Sequence, residues 1–148
     1  MPDRILVKPL GGNPFWSSMP KGRAMVQPLR WPIVVGRLDD YKRLADFHYL
    51  AGPPAAHKRV YVVRTPSRYR RHGAGDPAAV LTISPPVIAC RGRNVATVGR
   101  YVSPDRRGAL ARLNAEVECI SRVIVHPQFR GSGLASRLVR HALATAET

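Results

Sequence analysis

Acidic residues are scarce in this chain. Nine Asp and Glu stand against 24 Lys and Arg in 148 residues, a net charge of +15 with histidines neutral. Cysteine is nearly absent. Cys90 and Cys119 are too few for a disulfide framework and too far apart for a CxxC metal or redox site. Both lie in apolar, strand-like runs and read as small buried hydrophobes. No run approaches the ~18 apolar residues of a membrane span, and the N-terminal Met1-Pro2-Asp3-Arg4-Ile5-Leu6 lacks the apolar stretch of a signal peptide. The expectation is a soluble, cytoplasmic protein with no membrane partner. No paired His, Asp or Glu spacing supports a metal site. What is present is a 45% hydrophobic composition, enough for one domain with a real core and against disorder throughout. The excess charge attracts polyanions, so nucleic acid and phosphorylated cofactors are the first candidate partners.

Residues 1–32 are dense in Pro and Gly, which block helix and central-strand pairing. They predict an extended arm that packs through Phe15, Trp16 and Trp31. A short strand fits Ile33-Val34-Val35. Asp39 or Asp40 then offers an N-cap, and Leu38, Tyr41, Leu44, Ala45 and His48 recur at helical spacing, predicting an amphipathic helix that ends near Leu50 at Gly52-Pro53-Pro54. Val60-Tyr61-Val62-Val63 reads as a strand and residues 65–77, with the cluster Arg68-Tyr69-Arg70-Arg71-His72, as a basic loop. Ala78 to Cys90 reads as two short strand pieces interrupted by Pro85-Pro86. Arg91 to Arg107 reads as a second basic loop, and Ala109 to Ala115 as a short helix after Pro104-Asp105.

The last 30 residues carry the most information. Val117 to Val125 is a β-rich run, His126-Pro127-Gln128-Phe129-Arg130-Gly131-Ser132-Gly133 is a turn, and Leu134, Leu138, Val139 and Ala142 recur on one face of a helix. A strand that enters a glycine turn and then a helix leaves backbone N–H groups without internal partners at the positive end of the helix dipole, which makes an anion site. Gly131 and Gly133 let a bulky phosphate reach the backbone, and Arg130 adds a planar cation. Each exposed charge–dipole contact is worth about 0.3–1 kcal/mol, so several amides must act together. The turn has no lysine and so is not a P-loop. After Gly131-Ser132-Gly133 come Leu134, Ala135 and Ser136, which breaks the dinucleotide fingerprint.

Val123-Ile124-Val125-His126-Pro127-Gln128-Phe129-Arg130-Gly131-Ser132-Gly133-Leu134-Ala135 resembles the acyl-CoA-binding motif of the GNAT N-acyltransferases. A second register starting at Gln128 also fits the short pattern, and the position of Pro127 favours the register starting at Arg130. The resemblance implies an α/β (α+β) fold, a mixed and mostly antiparallel sheet flanked by helices. It implies acetyl-CoA or another acyl-CoA as cosubstrate and an amine as acceptor. Backbone amides from Gly131 through Ser132 and Gly133 to Leu134 and Ala135 would hold the pyrophosphate. The main chain of Val123, Ile124 and Val125 would carry the pantetheine arm, with Val123 and Val125 pairing to it. More weakly, Phe47-His48-Tyr49, the strand at Val60 to Val63 and the segment Leu113 to Arg122 resemble the Mom-type branch, which modifies adenine in phage DNA. That likeness adds a nucleobase to the acceptor candidates.

Catalytic candidates follow. Glu118 is a carboxylate on the motif strand and a candidate general base, and Ser121 is a polar group beside the thioester. His48 and Tyr49 are candidates to contact the acceptor. Strict alternation puts Glu118, Ile120, Arg122 and Ile124 on one face and Cys119, Ser121, Val123 and Val125 on the other. If the active face is that of Ser121, Glu118 is instead an edge charge or an ion-pair partner of Arg122. Cys119 has no base beside it in sequence and is set aside as a nucleophile. GNAT domains continue past this helix with further strands, while this chain ends at Ala144-Thr145-Ala146-Glu147-Thr148. Residues 33–148 are therefore expected to hold a C-terminally incomplete domain, following the arm at 1–32. A rival reading is a basic module that binds DNA or RNA through Arg68 to Arg71 and Arg91 to Arg107, with Tyr69 and Tyr101 interleaved, and has no acyltransferase activity.

Overall fold

The computed structural model describes residues 30–49, 56–66 and 75–146. The proposed basic cluster at 68–72, and Phe15 and Trp16 in the arm, lie outside them. Four strands form one antiparallel sheet in the order β1 (Ile33–Val35), β2 (Arg59–Arg64), β3 (Pro77–Ser84) and β4 (Cys119–Val125). The β-branched and aromatic residues that marked β2 and β3 in the sequence fill their middles, and every residue of β3 is buried.

Helix α4 (Leu134–Ala146) covers one face of this sheet. Its Leu134, Leu138 and Ala142 are buried against Tyr61, Val63, Leu81 and Ile83, as the helical spacing predicts. Full burial of a leucine side chain is worth roughly 1.5–3 kcal/mol. Trp31 joins the same cluster. Its ring meets Phe129 edge to face at 5.2 Å, and its carbonyl accepts from Arg137 Nη2 at 3.0 Å. One end of the expected arm is thus a buried anchor.

The other face is covered by α1 (Leu38–Lys42) and a 3-10 turn (Ala45–Phe47), with Tyr41 and Leu44 packed on Val60, Val80 and Ile124. The amphipathic helix predicted to run to Leu50 is therefore a correction. It ends at Lys42, and His48 is already extended. Neither aspartate is the N-cap. That position is Arg37, and the carboxylate of Asp40 reaches back to accept its N–H at 2.9 Å. Asp40 also pairs with Arg64 of β2 at 2.8 Å, which ties the helix start to the sheet.

Between β3 and β4 the chain forms two helices, α2 (Arg91–Ala96) and α3 (Arg106–Glu116). The expected basic loop at Arg91 to Arg107 is in part helical. The guanidinium of Arg93 accounts for this, because it gathers the carbonyls of Val87 and Ile88 and the side chain of Asn94. These bonds hold the proline segment against the helix without any apolar stripe. The second strand piece expected after Pro85-Pro86 is absent, and Cys90 caps α2 rather than lying in a strand. Both cysteines are half-buried. Asp105 accepts from Gly108 N–H at 3.0 Å and starts α3, three residues before the predicted start.

The alternation expected for β4 breaks at one residue. Thr82 pairs with Arg122 and Ile83 with Ile120, so Ser121 is an extra residue in a β-bulge. Ile120 consequently packs with Val123 and Val125 on the α4 face, while Ile124 faces α1.

Candidate functional site

β4 is an edge strand, and among the described residues no strand pairs with its outer side. The N–H of His126 donates to the carbonyl of Ala78 at 2.9 Å, which fixes the phase of the ladder. Hydrogen-bonded pairs alternate along an antiparallel ladder, so Ile124 and Arg122 bond to β3. The amides and carbonyls of Val123 and Val125 point away from the sheet. This edge is a template for an extended guest, with the main chain of Val123 and Val125 turned outward.

At the end of the edge the chain turns through a 3-10 segment (Pro127–Phe129), capped where His126 Nδ1 accepts from Gln128 N–H at 3.3 Å. Gly131 and Gly133 follow with φ of +79° and +78°, a region that side-chain-bearing residues rarely adopt. A Cβ on Gly131 would meet nothing within 4 Å, so the space beside the turn is open. The buried Ser132 turns inward, its hydroxyl and its N–H both donating to the Phe129 carbonyl, which holds the turn closed behind the two glycines.

The first helical bond of α4 runs from Arg137 N–H to the Gly133 carbonyl at 3.1 Å. The amides of Leu134, Ala135 and Ser136 thus precede any intrahelical acceptor, and those of Gly131 and Gly133 have no backbone acceptor among the described residues. They border a cavity of about 400 Å³ lined by Val125, Phe129, Arg130, Gly131, Gly133, Leu134, Ala135 and Ser136. Arg130 stands at its rim, with Nε 3.4 Å from the outward carbonyl of Val125 and Nη2 3.4 Å from the carbonyl of Phe47. Open strand edge, glycine turn and helix start form one continuous polar track, suited to a molecule with an amide-bearing arm and a phosphorylated end.

A profile of the acetyltransferase (GNAT) family matches residues 75–148, half of the chain, from the start of β3 through α4. The chain belongs to the GNAT family. Acyl transfer to an amine is the general activity this membership supports, and acyl-CoA is the cosubstrate that GNAT enzymes generally use. The four-stranded antiparallel sheet between helices agrees with a GNAT fold. No curated protein and no solved structure matches the chain.

The candidate catalytic residues of this GNAT chain separate by face. Ser121 lies on the α1 face, where its hydroxyl is 2.9 Å from that of Thr82, accepts from Ser84 at 2.7 Å and donates to the Thr82 carbonyl at 3.2 Å. Phe47 meets the ring of His126 edge to face at 4.9 Å. Beyond it, the rings of His48 and Tyr49 stack at 4.5 Å, with Tyr49 88% exposed. Glu118 precedes β4, and its carboxylate is held by Arg59 and, at 3.6 Å, by Lys58. Its partner is therefore not Arg122. The bulge decides this, since below Ser121 the alternation carries Glu118 to the α4 face, where Arg59 lies opposite Ile83.

Thr82 and Ser84 carry no signal in the sequence, where they read as ordinary strand residues; only the pairing of β3 with β4 brings their hydroxyls to Ser121. Arg122 was visible only as an alternating charge. A second cavity, about 250 Å³, lies on the other side of Phe129 between Phe47, His126 and the ion pair Arg43–Asp76 at 2.7 Å. Away from this site, Arg100 donates to Glu116 at 2.9 Å and holds its carboxyl below the ordinary value. Burial, then the bond to Glu116 at 3.1 Å, pushes the Tyr101 hydroxyl up. Among the described residues no three His, Cys, Asp or Glu side chains cluster as a metal site would require, and no helix is long and apolar enough to cross a membrane.

Proposed function

We propose that this chain is an acyl-CoA-dependent N-acyltransferase. The observation that carries the reading is the set of amides of Gly131, Gly133, Leu134, Ala135 and Ser136, without backbone acceptors among the described residues, opening on a cavity directly below the outward-facing backbone of Val123 and Val125. Acetyl-CoA or a related acyl-CoA supplies the activated acyl thioester. The amides of Gly131, Gly133, Leu134 and Ala135 bind its diphosphate around the inward-bonded Ser132, with Arg130 as the flanking cation. Val123 and Val125 orient the pantetheine arm as an added strand, with Ile124 anchoring β4 to the core behind them.

The bulge at Ser121 marks where the reacting end lies, because regular pairing stops there and main-chain groups are re-aimed. Holding amine and thioester together supplies much of the rate, and one proton must leave the amine. His48 and Ser121 belong to the same side of the sheet as α1, so we assign the acceptor to that side, with Tyr49 as a stacking surface. His48 offers a ring nitrogen to take the proton. Glu118, tied to two cations on the opposite face, serves as base only through water. Isothermal titration with acetyl-CoA tests the reading. Saturable binding is expected, and its absence at ~1 mM ligand overturns it.

One further observation narrows the acceptor, the stacked His48–Tyr49 pair with its exposed tyrosine in a chain of net charge +15. Aromatic faces hold unpaired bases and arginines hold phosphates, so a nucleobase amine, as in the Mom-type resemblance, fits this site. Anisotropy of a labelled single-stranded oligonucleotide should rise on binding and fall steeply with salt. Binding that CoA displaces places both ligands at one site. Binding that CoA leaves untouched, in a protein that binds no acyl-CoA, favours the basic module instead.

A further inference from the structure

Arg122 sits directly after the bulge residue of β4, opposite Thr82 and therefore on the α1 face. Its Nη1 donates to the Ser121 carbonyl at 2.9 Å, which fixes the guanidinium beside the bulge. Its Nε is buried and has no hydrogen-bond acceptor. Among the described residues no carboxylate lies within ion-pair distance of it. In a chain with only nine acids this is a consequential arrangement. The carboxylates of Asp40, Asp76, Glu116 and Glu118 are all held by other cations. A half-buried guanidinium with an unused donor is costly unless an anion completes it.

Resting on the acyl-CoA reading, we infer that Arg122 recognises a carboxylate on one of the two reactants. The diphosphate is too far away to be its partner, because the three residues from Val125 to Arg122 span about 10 Å of strand and the glycine turn lies beyond Val125. What reaches Arg122 is the reacting end, and a planar guanidinium pairs best with a planar carboxylate. The carboxylate belongs either to a dicarboxylic acyl group or to an amino-acid acceptor.

Two arms of one titration experiment separate these sources. In the first, the protein is titrated with acetyl-CoA, malonyl-CoA and succinyl-CoA. In the second, the protein saturated with acetyl-CoA is titrated with L-alanine, L-glutamate and L-lysine against the corresponding α-amides. A preference of about tenfold or more for the carboxylate form is expected in one arm. Arg122→Gln collapses that ratio towards unity, and Arg122→Lys, which keeps the charge without the fork, retains part of it. An unaltered ratio in R122Q, or no preference in either arm while acetyl-CoA binds, overturns the assignment to Arg122. Failure of every thioester to bind overturns the acyl-CoA reading itself, and this inference with it.

Discussion

The hydroxyls of Ser121 and Thr82 lie 2.9 Å apart across the β3–β4 ladder, at the one position where that ladder slips by a residue. Ser84 completes the group, its single hydroxyl proton shared between Ser121 at 2.7 Å and the carbonyl of Ala56 at 2.6 Å. Ser121→Ala removes the shared member. We expect a loss of about 1 kcal/mol, the ordinary worth of a hydrogen bond with some desolvation left behind. Urea denaturation of the two proteins measures it, and an unchanged midpoint shows that the hydroxyl does not hold the bulge.

Gly131→Ala separates conformation from contact. The added Cβ meets no protein atom within 4 Å, so the stability cost comes only from the positive φ, about 1–2 kcal/mol. Because the same Cβ enters the cavity before α4, acetyl-CoA affinity should fall by about tenfold or more. A variant that loses stability yet binds as before would place the diphosphate elsewhere.

Trp31→Ala tests the anchor at the near end of the N-terminal arm. The indole is 5% exposed and packs edge to face on Phe129, beneath the glycine turn. Truncating a buried aromatic of this size costs about 3–5 kcal/mol. Thermal unfolding is the measurement, and a shift equivalent to less than ~1 kcal/mol would show that the indole contributes little to the core.

Glu116 supplies a pH signature. Its carboxyl titrates below the ordinary 4.5 in the folded protein because Arg100, and then Tyr101, bond to the charged form. The unfolded chain therefore takes up the proton first on acidification. The stabilisation is present above the ordinary value and is lost as pH falls through the lowered one. Glu116→Gln should lower stability near neutral pH, and the gap to the parent protein should close as pH falls below the ordinary carboxylate range. A gap that stays constant with pH assigns the effect to shape rather than charge.

Strand β2, the whole of α4 and the glycine turn were legible because each is written locally. Val60 to Val63 is a compact β-branched run, Leu134, Leu138 and Ala142 keep one helical face, and Gly131 and Gly133 punctuate the turn. Helix α2 was not legible, because what holds it is Arg93 reaching back to two carbonyls rather than any periodicity. The early helix was over-extended for the opposite reason. Leu44 and Ala45 keep helical spacing, but the segment tightens into a 3-10 turn so that Phe47 reaches His126. The facing of Glu118 and Arg122 was hidden by Ser121, since a bulge is set by pairing with a distant strand and leaves no mark in alternating residues.

That slip divides β4 into two parts. The residues below Ser121 and those above it are out of phase, so the strand carries two opposite facing rules joined at one peptide unit. Removing a single residue there would leave the composition, the charge and the helix caps intact. It would also leave Arg122 opposite Thr82 and Ile120 opposite Ile83, each on its present face, because the two halves come back into phase once the extra residue is gone. A residue lost anywhere else in the strand turns one part of it to the opposite face, so Ser121 marks the point at which β4 can shorten without repacking.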